Sequence, residues 1–346
     1  MANPNWGEFL TQTLQKRSKD IAWNILGNRI LTYILYNRGQ VKKVSGGASI
    51  LEPLVYGESS GITWFDGADP VGTTFTPRVS AAEYFWSWGS VPITIPFTIQ
   101  WKNRSKEAVF DILKTRTSIA EKTFRNAMNR KLFNARVNPK EAQGLEDFLE
   151  KLAVGAQTTT VGGISKATNT WWNNQFRDVN NTFSTVGLQE MENLYMDCSV
   201  GTLHPDIIIG TRAFWQNYHR VIRSNSAQFV QGVPAELADT QFKALDFWGT
   251  PVVWDEDCQA DSVYFLTTGG NKRKLYGQDN LDMGKSSPED IGHLRLAVHS
   301  EVDFMVTDTK EPINQFMFVN FMIWGGALTC NNMSVQGILA NADTWV

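Results

Sequence analysis

The sequence predicts an α+β fold in which an extended strand runs directly into one long helix. Three observations lead to this class. Residues 91–99 alternate apolar and polar side chains; residues 101–133 contain neither Gly nor Pro and approximately follow helical spacing; and residues 206–266 carry strand, helix and strand patterns in turn. With 346 residues, 42% of them hydrophobic, the chain can bury the core of one large or two modest domains.

The strand pattern begins at Val91 and has its apolar side chains at the odd positions. Pro92 and Pro96 share the other parity, so the backbone donors that they lack fall along one edge. Such an edge does not complete a hydrogen-bond ladder. We therefore expect an edge strand with one apolar face.

The long helix is expected to end at Phe133 and to span about 45 Å at 1.5 Å per residue. Asn103 or Ser105 can cap its first turn. Its apolar residues recur with the helical period, which is kept less well in the middle of the helix. We expect them to form the buried face. They are Ala108, Ile112, Ile119, Phe124, Ala127, Met128 and Leu132.

The charge of this helix differs from that of the chain. Between Lys102 and Arg136 there are ten basic and three acidic residues, a net charge of +7. Since the whole chain carries −3, the remainder carries −10. A basic helix in an acidic protein favours a face turned toward a polyanion, and a solvated helix surface is an equally good explanation at this stage.

Residues 50–100 indicate a long hairpin arm. Strand patterns at 50–56 and 79–88 flank a tip rich in Gly, Asp, Ser and Thr, in which Gly57, Gly61, Gly67 and Gly72 can provide a hinge. Long aromatic excursions are usually functional and usually meet a partner. The aromatic side chains that we expect to contact one are Trp64, Phe65, Tyr84, Trp86 and Trp88.

No motif predicts a catalytic, cofactor or metal site. Gly284-Lys285-Ser286 resembles the end of a phosphate-binding loop, but Asp279 replaces the first glycine. Asp255, Asp257 and Asp261 lack the glycine and distal glutamate of a calcium loop, so a solvated turn is the better explanation. Glu301 and Asp303 share a strand parity, which favours an ordinary solvent-facing position. An α/β hydrolase or transferase remains an alternative.

Cysteine usage and hydropathy limit the setting. The three cysteines are far apart and predict no disulfide framework, which fits a reducing compartment. The first residues lack the apolar core of a signal peptide, and no stretch approaches eighteen uninterrupted apolar residues, so we expect no membrane partner.

The order of these features resembles the major capsid protein of tailed bacteriophages, the Hong Kong 97-type fold. An N-terminal arm, a two-stranded extended loop, a long spine helix, an α/β domain and returning C-terminal strands follow one another along nearly the whole chain. Local stretches are also similar to one branch of those proteins: Gly162-Gly163-Ile164, Thr170-Trp171-Trp172-Asn173, Pro205 to Ile209, Gly249 to Asp255 and Val263 to Leu266.

The resemblance implies five segments. Residues 1–48 would form the N-terminal arm and 49–100 the extended loop. Residues 101–180 would form the spine helix and the first part of the peripheral domain, 181–295 the α/β axial domain, and 296–346 the C-terminal strands of the peripheral domain.

The resemblance further implies a shell subunit, without cofactor, that assembles with itself into pentamers and hexamers around double-stranded DNA. Assembly would take place in the host cytoplasm, with a portal and possibly a cement or decoration protein as partners. The extended loop would lie over a neighbouring subunit, and the spine helix would face DNA through Lys106, Lys114, Arg116, Lys122, Arg125 and Arg130. An encapsulin-type nanocompartment shell is the alternative within the fold.

Two departures from the family pattern carry expectations of their own. Founding members cross-link a lysine of the loop to a neighbour's asparagine, but no lysine lies between Val44 and Trp101, so we expect a shell held by non-covalent contacts. Only about fifty residues precede the loop, which is short for a fused scaffolding domain. We therefore expect a separate scaffolding protein.

Overall fold

The computed structural model describes residues 29–37, 40–57, 64, 66–67, 77–98, 106–201, 203–225, 245–268, 293–312 and 314–345, without the side chains of 106–115, 125 and 224–225. Two sheets, a hairpin and one long helix organise these residues. The fold is mixed helix and sheet, as the sequence predicts.

The first sheet has five strands. They are β1 (Val41–Val44), β4 (Ser87–Pro96), β12 (Leu294–His299), β13 (Met305–Val306) and β14 (Met317–Cys330). β14 is the central strand of this sheet, because it pairs antiparallel with β4, β12 and β13. β1 pairs parallel with β12. This sheet therefore pairs strands that lie far apart in the sequence, from residue 87 in β4 to residue 330 in β14.

The predicted edge strand is confirmed as β4, which pairs only with β14 among the described strands. Pro92 lies opposite Phe321 and Pro96 opposite Met317. Ile93 and the following odd position Ile95 are buried, which confirms the predicted apolar face. The prolines thus occupy a strand with only one partner, where their missing donors cost least.

The second sheet has six strands in the order β7-β15-β11-β8-β10-β9. Their bounds are β7 Gln175–Asp178, β8 Ile207–Gly210, β9 Leu245–Phe247, β10 Thr250–Trp254, β11 Ser262–Leu266 and β15 Gly337–Ala340. Parallel and antiparallel pairs are mixed. β8 and β11 are buried throughout, because helices and loops cover both faces.

The long helix α2 (Lys106–Phe133) follows α1 (Ile30–Asn37) and ends where the sequence predicts. Its 28 residues span about 42 Å. The buried stripe includes Phe124, Met128 and Leu132, but the prediction is wrong for Ile119, which is 58% exposed, and for Ala127, which is also exposed. At 100° per residue Ile119 lies about 140° around the helix from Phe124, and Ala120 takes the buried position instead.

The predicted hairpin is present as β2 (Ile50–Val55) paired antiparallel with β3 (Val79–Tyr84). It is shorter than the predicted arm, because β4 leaves the hairpin and joins the first sheet. The range 49–100 therefore spans two structures.

Smaller elements complete the described chain. They are α3 (Leu145–Phe148), the short pair β5 (Thr160–Val161) and β6 (Ile164–Ser165), a 3₁₀ turn at Thr170–Trp172, a π turn at Phe183–Gly187, α4 (Leu188–Asp197) and α5 (Arg212–Asn225). β15 and β7 belong to the six-stranded sheet, although the sequence-based boundaries at 180 and 296 assign them to other segments.

Candidate subunit-contact surfaces

The outer face of the β2–β3 hairpin is an exposed apolar surface. Leu51 is 59% exposed, Val55 74% and Val79 69%. Val55 lies opposite Val79, and Pro53, also outward, lies opposite Ala81. Apolar surface of this kind makes the hairpin face a candidate contact surface. We call Leu51, Pro53, Val55, Val79 and Ala81 the outer hairpin face.

Sequence reasoning missed this surface, although a signal was present. β2 reads Ile-Leu-Glu-Pro-Leu-Val, with apolar residues at both parities. A strand exposed on one face alternates apolar and polar residues, whereas a strand covered on both faces does not. Within the subunit, only the side of β2 that carries Ile50 and Leu54 is buried.

The inner hairpin face is fixed to the subunit through Tyr84. Its hydroxyl donates to the Cys330 carbonyl at 2.7 Å and accepts from the Cys330 backbone N–H at 3.2 Å. The ring packs edge-on against Phe148, and burial raises the pKa of the phenol well above its usual value. Because Tyr84 is 1% exposed, its side chain lies in the core and not on a contact surface. We therefore leave it out of the contact residues expected from the sequence.

Close backbone approach also holds the hairpin. Gly162 has φ +59°, and a Cβ there would lie 2.7 Å from the Ala82 Cβ. Its carbonyl accepts the Glu83 N–H at 2.9 Å. Glycine permits both the left-handed backbone and the contact. Further along the hairpin, Tyr56 stacks on Trp171 with ring centroids 5.0 Å apart.

Trp86 and Trp88 form an aromatic cluster with His299 beside the hairpin. The indole rings are stacked 6.1 Å apart, and the imidazole lies 5.7 and 5.8 Å from them. Trp86 donates to the Gly47 carbonyl at 2.9 Å, while Trp88 is 55% exposed and lies over Gly325, where a Cβ would meet its ring at 2.2 Å. Trp88 is thus held flat and accessible.

An apolar groove of about 280 Å³ lies next to Trp88, between β4 and α2, with Val91, Met128 and Trp324 in its lining. Trp64 is 90% exposed. Phe65 and the glycines Gly61 and Gly72 lie outside the described residues.

The basic residues of α2 do not share one role. Arg116 is half-buried and donates to the Thr94 carbonyl at 2.6 Å, which ties the helix to β4. Lys122 is exposed, and the exposed Arg130 lies 3.7 Å from Asp257. Lys106, Lys114 and Arg125 lie on the helix, but their side chains are outside the described part. Among the described side chains of α2, no acidic one is exposed.

A buried polar cluster joins α1, α2 and the turn between β10 and β11. Asn129 donates to Asp255 at 3.0 Å and to Asp257 at 2.9 Å, and it accepts from the Thr32 hydroxyl at 3.1 Å. Burial raises the pKa of Asp255, which is 4% exposed. The expectation of a solvated turn is therefore wrong for Asp255, which is buried and accepts hydrogen bonds from Asn129 and from the backbone N–H groups of Ile30 and Asp257.

A second buried cluster centres on Lys166, a residue that sequence reasoning did not single out. Its ammonium donates to the Phe148 carbonyl at 2.6 Å and to Asn174 Oδ1 at 2.7 Å. Glu150 nearby accepts from the backbone N–H groups of Thr158 and Thr159. Burial lowers the pKa of Lys166 to about 8. The lysine thus joins the end of α3 to the segment that contains Asn174.

The motifs weighed for catalysis do not converge on a site. Glu301 and Asp303 lie between β12 and β13 and not on one strand. Glu301 is exposed, but Asp303 accepts from the Tyr36 hydroxyl at 3.2 Å, and burial raises its pKa. Within the described ranges no group of three His, Cys, Asp or Glu could hold a metal ion, and no helix is long and apolar enough to cross a bilayer. The Gly284-Lys285-Ser286 stretch lies outside those ranges.

The fold is that of known capsid chains. A chain from the cyanophage A-1(L) capsid superposes with a TM-score of 0.62 over 88% of this chain and 91% of that one, at 13% identity. For the empty GTA particle capsid the TM-score is 0.56, over 88% and 89%, at 12% identity. For the capsid of Myoviridae phage XM1 it is 0.51, over 89% and 91%, at 8% identity.

This likeness extends over nearly the whole chain and defines its class as the α+β fold of phage capsid chains. Sequence comparison adds nothing to it: no family model and no curated protein matches.

Proposed function

We propose that this chain is the major capsid protein of a tailed bacteriophage, with the Hong Kong 97-type fold. It assembles with itself into the pentamers and hexamers of an icosahedral shell that encloses the DNA genome. The observation that carries the proposal is the likeness to the cyanophage A-1(L) capsid chain over 88% of this chain.

In this proposal the two sheets correspond to two domains. The five-stranded sheet with α2 forms the peripheral domain and its spine helix, and the six-stranded sheet with α4 and α5 forms the axial domain. The extended loop is the hairpin and its tip, and the N-terminal arm precedes β2. In contrast to the boundaries expected from the sequence, we assign β7 and β15 to the axial domain, because β15 pairs with β11 and β7 pairs with β15.

The outer hairpin face supplies the contact between subunits. Covering Leu51, Val55 and Val79 with a neighbour's surface removes apolar area from water, which is worth roughly 25 cal/mol per Å². A heterologous contact of this kind closes into rings when its rotation permits. Trp64, Phe65, Trp86 and Trp88 extend the contact. Since each subunit holds several neighbours, modest contacts add to a strong shell.

The DNA-facing surface is the exposed side of α2. Lys122 and Arg130 have described, exposed side chains, and Lys106, Lys114 and Arg125 belong to the same proposal by their place on the helix. Binding through such residues is non-specific neutralisation of phosphate. Arg116 contributes to packing rather than to this surface, because its guanidinium donates to β4.

The remaining partners follow from the same proposal. A separate scaffolding protein and a portal direct assembly in the host cytoplasm, and the product is the virion capsid. A cement protein can add to the non-covalent contacts, since no loop lysine offers a cross-link.

Electron microscopy of the purified protein, combined with analysis of what copurifies after nuclease treatment, tests the proposal. Closed shells or ring-shaped capsomers are expected, with protected nucleic acid in shells isolated from infected cells. Shells that contain a protein enzyme and no nucleic acid would instead establish an encapsulin-type compartment. A monomer with catalytic turnover and no assembly would overturn the proposal in favour of an α/β enzyme.

A further inference from the structure

Two neighbouring helices on the six-stranded sheet carry opposite charge. α4 contains Glu190, Glu192 and Asp197 and no basic residue. α5 contains Arg212, Arg220 and Arg223 and no acidic residue. Both pack on the same face of the sheet, since Leu194 of α4 and Phe214 of α5 belong to one apolar core.

The charges of each helix lie on its exposed side. On α5 the buried positions are Phe214, Tyr218 and Val221, and all three arginines are exposed. On α4 the buried positions include Met191 and Leu194, whereas Glu192 is exposed. At 100° per residue the three arginines lie within about 80° of one another around α5, so they form a stripe.

Most of this charge is not neutralised within the subunit. Asp197 pairs with Arg177 at 2.8 Å, and Arg220 lies over the Trp345 ring. For Glu192, Arg212 and Arg223 there is no ion pair with another described residue. Arg212 also stands at the first position of α5, where a cation opposes the helix dipole. Helix stability therefore does not account for Arg212.

The arginine stripe and the basic side of α2 lie on opposite faces of the sheet. Phe133 at the end of α2 packs on Tyr264, in the core that includes Ile209. Phe214 of α5 packs in the other core, which includes Ile208. Because successive strand residues point to opposite faces, a polyanion against α2 does not reach the stripe. On the stripe's own side of the sheet, the exposed carboxylates of α4 form a surface of complementary charge.

We infer that the arginine stripe of one subunit binds the acidic face of α4 on the next copy of this chain around a ring. This inference rests on the proposed function. It assigns a binding partner to two surfaces that lie outside the outer hairpin face. Each subunit offers both charges, so the contact is head-to-tail and repeats until the ring closes. The opposed charges steer assembly and set the register between neighbours.

Charge reversal tests the inference. The pair Glu190→Arg/Glu192→Arg and the pair Arg212→Glu/Arg223→Glu each replace attraction by repulsion, and each should raise the subunit concentration needed for assembly about tenfold per contact. The four changes in one chain restore attraction with reversed polarity and should restore assembly. Lys151→Glu, an exposed charge away from both helices, is the matched control. Circular dichroism and thermal melting of the subunits should show all variants folded, because none of the changed side chains is buried.

Mixing the two partially reversed variants gives a sharper result. At a subunit concentration that just suffices for the wild-type protein, neither variant assembles alone, but alternating subunits satisfy every contact in a ring of six and not in a ring of five. We therefore expect hexamers without pentamers in the mixture, seen by electron microscopy or native mass spectrometry.

The outcomes separate this inference from the proposed function. If the wild-type protein forms no shells, the proposed function fails. If it forms shells and the reversed variants assemble as it does, the inference is overturned while the function stands. Loss of copurified DNA without loss of assembly in Arg212→Glu/Arg223→Glu would also overturn it, because the stripe would then bind polyanion.

Discussion

Val55 on β2 lies directly opposite Val79 on β3, and both side chains are turned away from the subunit. Two valines paired on the outside of a hairpin leave most of their apolar surface in water when the subunit is a monomer. On the inside of the same hairpin, Leu54 is 6% exposed. The contrast between these faces separates the residues that fold the subunit from those that we propose to join subunits.

Val55→Lys should therefore abolish shell formation while changing the free energy of unfolding of the subunit by less than about 0.5 kcal/mol. The matched inward variant, Leu54→Ala, should cost about 2–4 kcal/mol of stability, because it leaves a cavity in the core. Urea unfolding of the subunits and electron microscopy of the assembly reaction measure the two effects. Normal shells from Val55→Lys would remove the outer hairpin face from the account.

Tyr84→Phe should destabilise the subunit by about 1 kcal/mol, since it removes the hydroxyl that bonds both backbone groups of Cys330. The ring and its packing on Phe148 stay. An unchanged urea midpoint, or lost assembly without lost stability, would show that Tyr84 acts at a contact surface after all.

The free energy of unfolding should depend on pH in a way that reflects the titration of Lys166. Its folded pKa is about 8, below the unfolded value of 10.5, so the unfolded state binds more protons between these values. The free energy of unfolding then rises with pH from about 8 to about 10.5, by roughly 3 kcal/mol from this group. Below about pH 8 the penalty is fully present.

Lys166→Met should lack this rise, which isolates it from the titration of other lysines and tyrosines. The variant should also lose stability at pH 7, because the Phe148 carbonyl and Asn174 lose a donor. Parallel pH profiles for both proteins between 8 and 10.5 would contradict the assignment.

Asn129→Ala should cost about 2–3 kcal/mol, since Asp255 and Asp257 lose a donor in a buried setting. The exposed neighbour Asn126 donates nothing to these carboxylates and accepts from Arg29, so Asn126→Ala is the control. Equal unfolding midpoints for the two variants would argue against a structural role for the cluster.

DNA binding should depend on α2 through its exposed charge. Lys122→Ala should weaken binding equally for all sequences and reduce the slope of log affinity against log salt by about 1. Arg116→Ala should instead lower subunit stability, because its donor role is internal. Fluorescence anisotropy over a salt series distinguishes these effects, and an unchanged slope for Lys122→Ala would exclude that side chain from the DNA contact.

Periodicity predicted the elements whose cause is local. Pro92 and Pro96 identified β4 as an edge strand, and the chain between 101 and 133 gave a helix that ends at Phe133. The sequence pattern did not predict contacts between segments that are far apart in the chain. The buried side of α2 contacts residues far away in the sequence, since Asn129 bonds Asp255 and Phe124 packs on Phe304.

The exposure of the proposed contact residues was predicted only in part, for a similar reason. Aromatic content identified Trp88 and Trp64, both exposed. Composition alone does not distinguish them from Tyr84, whose partner Cys330 is 246 residues away. Nor does it identify Leu51, Val55 and Val79, because the exposed parity of a strand becomes known only once its inner face has been packed.

The proposed capsid function is best tested by electron microscopy of the protein expressed alone and with the products of its neighbouring genes. We expect closed icosahedral shells or ring-shaped capsomers in which the outer hairpin face of each subunit is covered by a neighbour. A clean monomer or dimer in both preparations would contradict it.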